Sequence, residues 1–195
     1  MTLEDLGWNE AFAEGFAPFA ERGLIPARLV RETKINFAAL LEGGEEIDCV
    51  LGGKVWHEAE NDADLPSVGD WVALDRGGNC DEVIIRERLP RFSRFSRKMP
   101  GKSAQEQVLA ANVDIVVVVT DPGGDFNLRR MERYLTLIER CGAKPVVLLN
   151  KADLFPEKDC IDAAGELRNL SRVAEIHVTS ARECWGLEVL RGYLK

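Results

Sequence analysis

The chain has 195 residues, 46% of them apolar and 30% charged, with a formal net charge of −8; this is ordinary globular composition, long enough for one or two domains with a real core in each. No apolar run approaches the roughly 18 residues a membrane-spanning helix needs, and no basic start leading into an apolar stretch marks a secretory signal. The acidic balance argues against nonspecific nucleic-acid binding by the whole surface. The five cysteines, odd in number and without a Cys-x-x-Cys pair, argue against a disulfide framework or a zinc site and fit a reducing, cytoplasmic setting.

Residues 1–25 read as an amphipathic helical extension, with Leu3, Leu6, Phe12, Phe16 and Phe19 at helical spacing. Residues 26–90 read as short strands at 27–33, 35–41, 47–51, 55–57, 71–75 and 83–85. Glycine-rich breaks separate them, at Glu42-Gly43-Gly44, Gly52-Gly53 and Arg76-Gly77-Gly78-Asn79. About five short strands in that length suggest a small closed barrel, an OB fold being the first expectation. Periodicity alone does not separate it from an SH3-like barrel. His57 and His177 stand alone and read as surface or packed imidazoles.

A basic segment follows. Arg86, Arg88, Arg91, Arg94, Arg97, Lys98 and Lys102 face one acid, Glu87, which makes the segment +6 and leaves −14 for the rest of the chain. Concentrated charge of this kind on an acidic protein suggests directed contact with phosphate, with Arg91, Arg94 and Arg97 as candidate RNA ligands. A solvated basic linker over 91–106 explains it equally well.

From 107 onward the pattern changes. Residues 113–120 form a continuous apolar run, expected to be a strand buried on both faces of a parallel sheet. Residues 127–141 have helical spacing and end at Gly142, 145–149 form another buried strand, 158–170 a helix, 175–179 a third strand, and 186–194 the start of a helix. Alternating strands and helices predict an α/β sheet with right-handed crossovers.

Two motifs fall where such a sheet binds ligands, at the carboxyl ends of neighbouring strands. They are Asn150-Lys151-Ala152-Asp153 and Thr179-Ser180-Ala181. The Asp153 carboxylate can accept from both the ring N1–H and the 2-amino group of guanine, whereas adenine offers an acceptor at N1 and no 2-amino group. Mismatches of that kind discriminate strongly. Asn150 can reach the O6/N7 edge and tie the two loops together. The Lys151 stem can lie along the base, and a small residue at 181 lets a backbone N–H approach O6. The nucleotide contacts expected are therefore Asn150, Lys151, Asp153, Ser180 and Ala181.

The phosphate side is missing. Gly101-Lys102-Ser103 imitates the end of a P-loop, but the first glycine that motif requires falls on Ser96, and no buried strand precedes it. Asp121-Pro122-Gly123-Gly124 likewise imitates the Asp-x-x-Gly box that holds magnesium, yet Ser103 and Asp121 are too close to enclose a helix, a switch loop and a strand. Both read as imitations. Either the GTPase is degenerate, or its order is permuted and the P-loop follows the base-recognition boxes.

The chain resembles the small-ribosomal-subunit-dependent, circularly permuted GTPases of the RsgA/YjeQ family. The resemblance is carried by Val68-Gly69-Asp70-Trp71-Val72, Leu89-Pro90-Arg91 with Ser93 and Arg97, and the stretch Gln107-Val108-Leu109-Ala110-Ala111-Asn112-Val113-Asp114. It continues through Asp125-Phe126-Asn127-Leu128-Arg129-Arg130-Met131-Glu132-Arg133-Tyr134-Leu135 and the run from Pro145 to Asp153, covering about residues 26–195. It implies a β-barrel plus α/β architecture, an OB-fold domain followed by an incomplete, circularly permuted P-loop-type GTPase domain over 107–195. It also implies GTP or GDP with Mg2+ in the complete protein, and zinc only in a C-terminal domain that this chain does not include. The partners implied are the small (30S) ribosomal subunit and its rRNA, with no membrane and a monomeric state. No catalytic or metal-binding residue is carried over, so this chain by itself is expected to be inactive. The competing expectation is a non-enzymatic OB-fold RNA-binding protein with a vestigial GTPase domain.

Overall fold

The computed structural model describes residues 1–33, 36–77, 82–98 and 106–194, and the chain divides into two compact units, Met1–Asn112 and Val113–Lys195.

The first unit is built on a closed barrel of five strands, β1 (Ile25–Glu32), β2 (Phe37–Leu40), β3 (Glu46–Leu51), β4 (Trp71–Asp75) and β5 (Val83–Arg88), in the order β1-β2-β3-β5-β4. β1 pairs antiparallel with both β2 and β4, while β3 and β5 run parallel. That closure is OB-like. Inward positions alternate along the strands, so Ala27, Leu29, Ala39, Cys49, Val72, Leu74 and Ile85 fill the interior.

Residues 55–57, expected as a strand, belong instead to a short helix, α2 (Gly53–Glu58), after the helix α1 (Glu10–Ala20) at the N-terminus. The chain leaves β3 at Gly52, where a Cβ would lie 2.6 Å from the Ile85 carbonyl oxygen. Only Val55 of α2 is buried, and three residues of mixed character were too few to reveal helical periodicity.

Residues 1–25 are not a free extension. α1 lays Phe12 and Phe16 on the outside of the barrel, where they cluster with Leu6, Trp71, Ala73 and Leu89. Trp8 packs edge-on against Trp71 with ring centroids 4.6 Å apart, an arrangement favoured by the ring quadrupoles.

The segment expected as a basic linker also has structure. β6 (Arg94–Lys98) and β7 (Glu106–Ala111) form an antiparallel pair within the first unit. The Gly69 turn anchors this pair to the barrel. Gly69, at φ 90°, donates to the Leu29 carbonyl (2.8 Å), and a Cβ there would stand 2.1 Å from the Ala111 oxygen. Only glycine fits both requirements.

Beside this turn lies a buried ion pair. Arg91 reaches Asp70 through Nε (2.8 Å) and a terminal nitrogen (2.5 Å), and donates further to the carbonyls of Ala63 (2.6 Å) and Leu65 (2.8 Å). Asp70 is fully buried and also accepts from the Ser67 N–H (2.8 Å). Arg91, expected among the RNA contacts, is therefore corrected: its guanidinium is enclosed and engaged by the protein itself. Arg88 also turns inward, to the carbonyls of Asp64 and Leu89. Arg94 and Arg97 remain exposed on β6, Arg94 facing Glu106 at 3.5 Å and Arg97 facing Gln107 at 3.3 Å.

The second unit is a three-stranded parallel sheet in the order β10-β9-β8, made of β8 (Ile115–Thr120), β9 (Lys144–Leu149) and β10 (Glu175–Val178). Two helices, α3 (Leu128–Cys141) and α4 (Glu157–Leu170), carry the crossovers. Met131, Leu135, Ala163, Ala164 and Leu167 pack on Val147 and Leu149. Asn127 caps α3 by accepting from the Arg130 N–H (3.0 Å), and Gly142 ends it at φ 81°. The apolar run that forms β8 is not buried on both faces as expected. Val118 joins the helix-covered core, but Val117 and Val119 are exposed, because β8 is the edge of the described sheet and α3 and α4 cover one face only. The expected terminal helix is short, α5 (Leu190–Tyr193).

The ion pair gives a stability test. Replacing Arg91 with Met leaves the Asp70 carboxylate buried without its partner, and urea unfolding should show a loss of about 3–5 kcal/mol. Arg94→Ala, which removes an exposed pair, should cost about 1 kcal/mol or less.

Candidate functional site

The parallel register fixes where the site forms. Leu149 and Val178 are Cα partners, and the ladder continues past both strands, with Thr179 N–H donating to Leu149 (2.9 Å), Ala152 N–H to Thr179 (3.1 Å) and Asn150 N–H to Thr120 (2.8 Å). The loops after β8, β9 and β10 therefore leave the sheet side by side.

Asn150 joins two of them. Its Oδ1 accepts from the Ala181 N–H at 2.9 Å and from the Thr179 hydroxyl at 3.3 Å. A backbone N–H can only donate, so the amide oxygen must face Ala181. That orientation leaves the Asn150 NH2 without a partner among the described residues and able to donate to a ligand acceptor.

Asp153 is exposed and held from one side. Its Oδ1 accepts from the Ser180 hydroxyl at 2.6 Å, and Ser180 Oγ in turn accepts from the Glu183 N–H at 3.1 Å. Ser180 is fully buried. Its backbone exchanges two hydrogen bonds with Trp185, closing a small loop. The other Asp153 oxygen has no partner among the described residues, so the carboxylate can accept from two further donors.

Lys151 adopts a left-handed backbone at φ 62°, uncommon for a residue with a side chain. Its ammonium lies 3.3 Å from Asp121 Oδ2. Asp121 Oδ1 accepts from the N–H groups of Gly123 (3.0 Å) and Asp125 (3.2 Å). Burial works against the Asp121 charge, but the Asp125 and Gly123 amides and the Lys151 ammonium outweigh it and hold the carboxyl below its ordinary pKa.

The structure thus brings Asn150, Lys151, Asp153, Ser180 and Ala181 to one end of the sheet. Arg94 and Arg97 belong to the other unit. Gly101-Lys102-Ser103 lies outside the described residues. Sequence reasoning missed Asp121 as a partner of this site. The Asp-Pro-Gly-Gly run reads as a turn, and its position at the carboxyl end of the strand beside β9 was the available signal. Thr179, quoted only as part of a motif, proves to be an anchor for Asn150. No group of three or more His, Cys, Asp or Glu residues among those described is arranged to hold a metal ion, and no described helix is long and apolar enough to cross a membrane.

An OB-like barrel followed in the chain by a parallel α/β unit, with a carboxylate, an amide and a lysine on adjacent loops of its sheet, is the architecture of the family that the chain matches. The chain belongs to the RsgA GTPase family, whose signature matches residues 88–195. It is 42% identical to the small ribosomal subunit biogenesis GTPase RsgA of Opitutus terrae, with all of this chain and 54% of that protein covered, and 38% identical to its namesake from Syntrophotalea carbinolica over the same shares. The chain thus spans about half the length of these relatives. Among solved structures, YjeQ from Thermotoga maritima matches with a TM-score of 0.68 at 26% identity, covering 88% of this chain and 57% of that one. YloQ, a circularly permuted GTPase, shares the fold with a TM-score of 0.59 at 19% identity, covering 87% and 55%.

Ser180 offers a direct test of how the loops are held. Ser180→Ala removes the donor to Asp153 and leaves the Glu183 N–H without its acceptor, so chemical denaturation should show a loss of about 1–3 kcal/mol.

Proposed function

We propose that this chain supplies the base-recognition boxes and the barrel of a GTP-hydrolysing factor acting in late maturation of the small ribosomal subunit in the cytoplasm. The observation that carries the reading is the hydrogen-bonded set Asn150–Thr179–Ala181 and Asp153–Ser180. It pairs an open carboxylate with an open amide NH2, matching the donor and acceptor edge of guanine. Asp153 accepts from N1–H and the 2-amino group, and Asn150 donates to N7 or O6. An O6 oxygen arriving at Ala181 shares that N–H with Asn150 in a three-centre bond. Adenine presents no donor at N1 and no 2-amino group, so it leaves the carboxylate unpaired in the site. The relatives' names supply the ribosomal context.

Hydrolysis needs residues that cradle the phosphates and magnesium. No P-loop motif occurs in this sequence, so this chain is assigned recognition and not catalysis. In the reading, Arg94 and Arg97 are the members of the basic segment that touch rRNA phosphate.

Two measurements test these assignments. In the intact protein, Asp153→Asn replaces one acceptor oxygen by an NH2 that meets a donor on guanine but a carbonyl on xanthine. GTP affinity should fall by about 2–4 kcal/mol while the affinity for xanthosine triphosphate rises relative to it; an unchanged ratio of the two shows that Asp153 does not read the base. Reversing Arg94 and Arg97 to Glu should weaken 30S binding and flatten its dependence on salt. An unchanged slope removes both from the rRNA surface.

A further inference from the structure

Lys151 has a long, half-exposed side chain on a left-handed backbone, a combination that leaves its ammonium many rotamers unless something fixes the far end. Asp121 does so. Its Oδ2 lies 3.3 Å from Lys151 Nζ, and it is far better buried than the lysine, with 12% of its side chain exposed against 59%. The carboxylate is itself immobilised, since Oδ1 takes the N–H groups of Gly123 and Asp125, and the Thr120 hydroxyl closes the same turn by donating to the Asp125 carbonyl (3.2 Å).

A second contact clips this turn to the base-recognition loop. A Cβ on Gly123 would stand 2.2 Å from the Phe155 ring, so backbone and ring are in contact at that point. Phe155 closes the 3-10 turn Ala152–Leu154, which begins directly after Lys151. The loop after β8 is thus bound to the loop after β9 twice, by an ion pair at Lys151 and by packing at Phe155.

We propose that Asp121 is a positioning residue for guanine recognition: it anchors the Lys151 ammonium so that the four-carbon stem is already laid out along the plane a bound base occupies. The inference rests on the guanine reading of Asn150 and Asp153. Its physical basis is preorganisation. A free lysine loses rotamer freedom when ordered, and an anchor in place before the ligand arrives removes that loss from binding. Asp121 does more than form a turn, since one of its oxygens takes two backbone amides and the other faces an ammonium.

The test is a double-mutant cycle on GDP binding in the intact protein, read by displacement of a fluorescent guanine nucleotide. Asp121→Asn suits it, because the amide oxygen still accepts from Gly123 and Asp125 while its NH2 cannot accept from the ammonium. GDP affinity should fall by about two- to fivefold, the range of a partly exposed ion pair. Asp121→Glu, which restores the charge, should recover part of the loss. In a Lys151→Met background, Asp121→Asn should have no further effect. A silent Asp121→Asn, or the same loss with and without the lysine, overturns the proposal, because the aspartate then acts only through the turn or not at all. Preference for GTP over ATP, measured alongside, separates the two layers. Lost preference in the unmodified protein overturns the guanine reading itself, whereas intact preference with an additive cycle overturns only the role of Asp121.

Discussion

Everything at the candidate site depends on the in-register parallel pairing of β8, β9 and β10. Parallel strands place their carboxyl ends on one side, so the loops that follow Thr120, Leu149 and Val178 meet there whatever their sequences. Asn150 then turns proximity into a fixed spacing, because a single oxygen accepts from both Thr179 and Ala181. Glycine at 186 belongs to the same constraint. It sits at φ 71°, where a Cβ would come 2.6 Å from the Val178 carbonyl, so the loop can return to Trp185 only without a side chain at that point.

The first unit rests on a different interaction, the buried pair of Asp70 and Arg91. A bare carboxylate in that position would cost several kcal/mol in lost hydration, and the pair is tolerable because nearly every donor and acceptor on both groups is matched. The pair joins the turn before β4 to the segment after β5, while Gly69 and Asn112 fasten the β6–β7 hairpin beside it. Asn112 does this with a left-handed backbone at φ 54°, accepting from the Phe92 N–H and donating to the Gly69 carbonyl. Within the basic segment Arg88 and Arg91 are therefore structural, while Arg86, Arg94 and Arg97 are exposed.

Much of this was legible in the sequence. The barrel showed in short alternating strands broken by glycines, and the α/β unit in long apolar runs alternating with amphipathic stretches. The adjacent loops of the candidate site showed in Asn150–Asp153 and Thr179–Ala181, since the position of a motif at the end of a strand is itself periodicity information. What could not be read is long-range pairing. Charge counting assigned Arg91 to RNA phosphate because nothing local reveals that Asp70, twenty-one residues earlier, sits across from it. The same blindness made Asp121 look like an imitation of a magnesium box, when its partner lies thirty residues on at Lys151. Val117 and Val119 failed for another reason: an apolar run announces a strand, but not which of its faces the neighbouring helices will cover.

The electrostatic setting says what kind of recognition these loops can perform. Asp121, Asp125, Asp153 and Glu183 crowd the loops, with Lys151, Arg130 and Arg182 as their basic counterparts, in a chain of net charge −8. A polyanionic nucleotide gains little from such a field, so under the proposed reading long-range attraction is not the source of affinity. Arg130 is already paired with Asp125 at 2.7 Å and Arg182 lies beside Glu183 at 3.8 Å. Lys151, held by Asp121, is the cation on the recognition motif itself. Under the proposed guanine reading, selectivity at this end comes from short, directional hydrogen bonds to a neutral base. The open oxygen of Asp153 and the open NH2 of Asn150 are the groups able to make them, and their worth depends on how rigidly Ser180, Ala181 and Thr179 hold them in place.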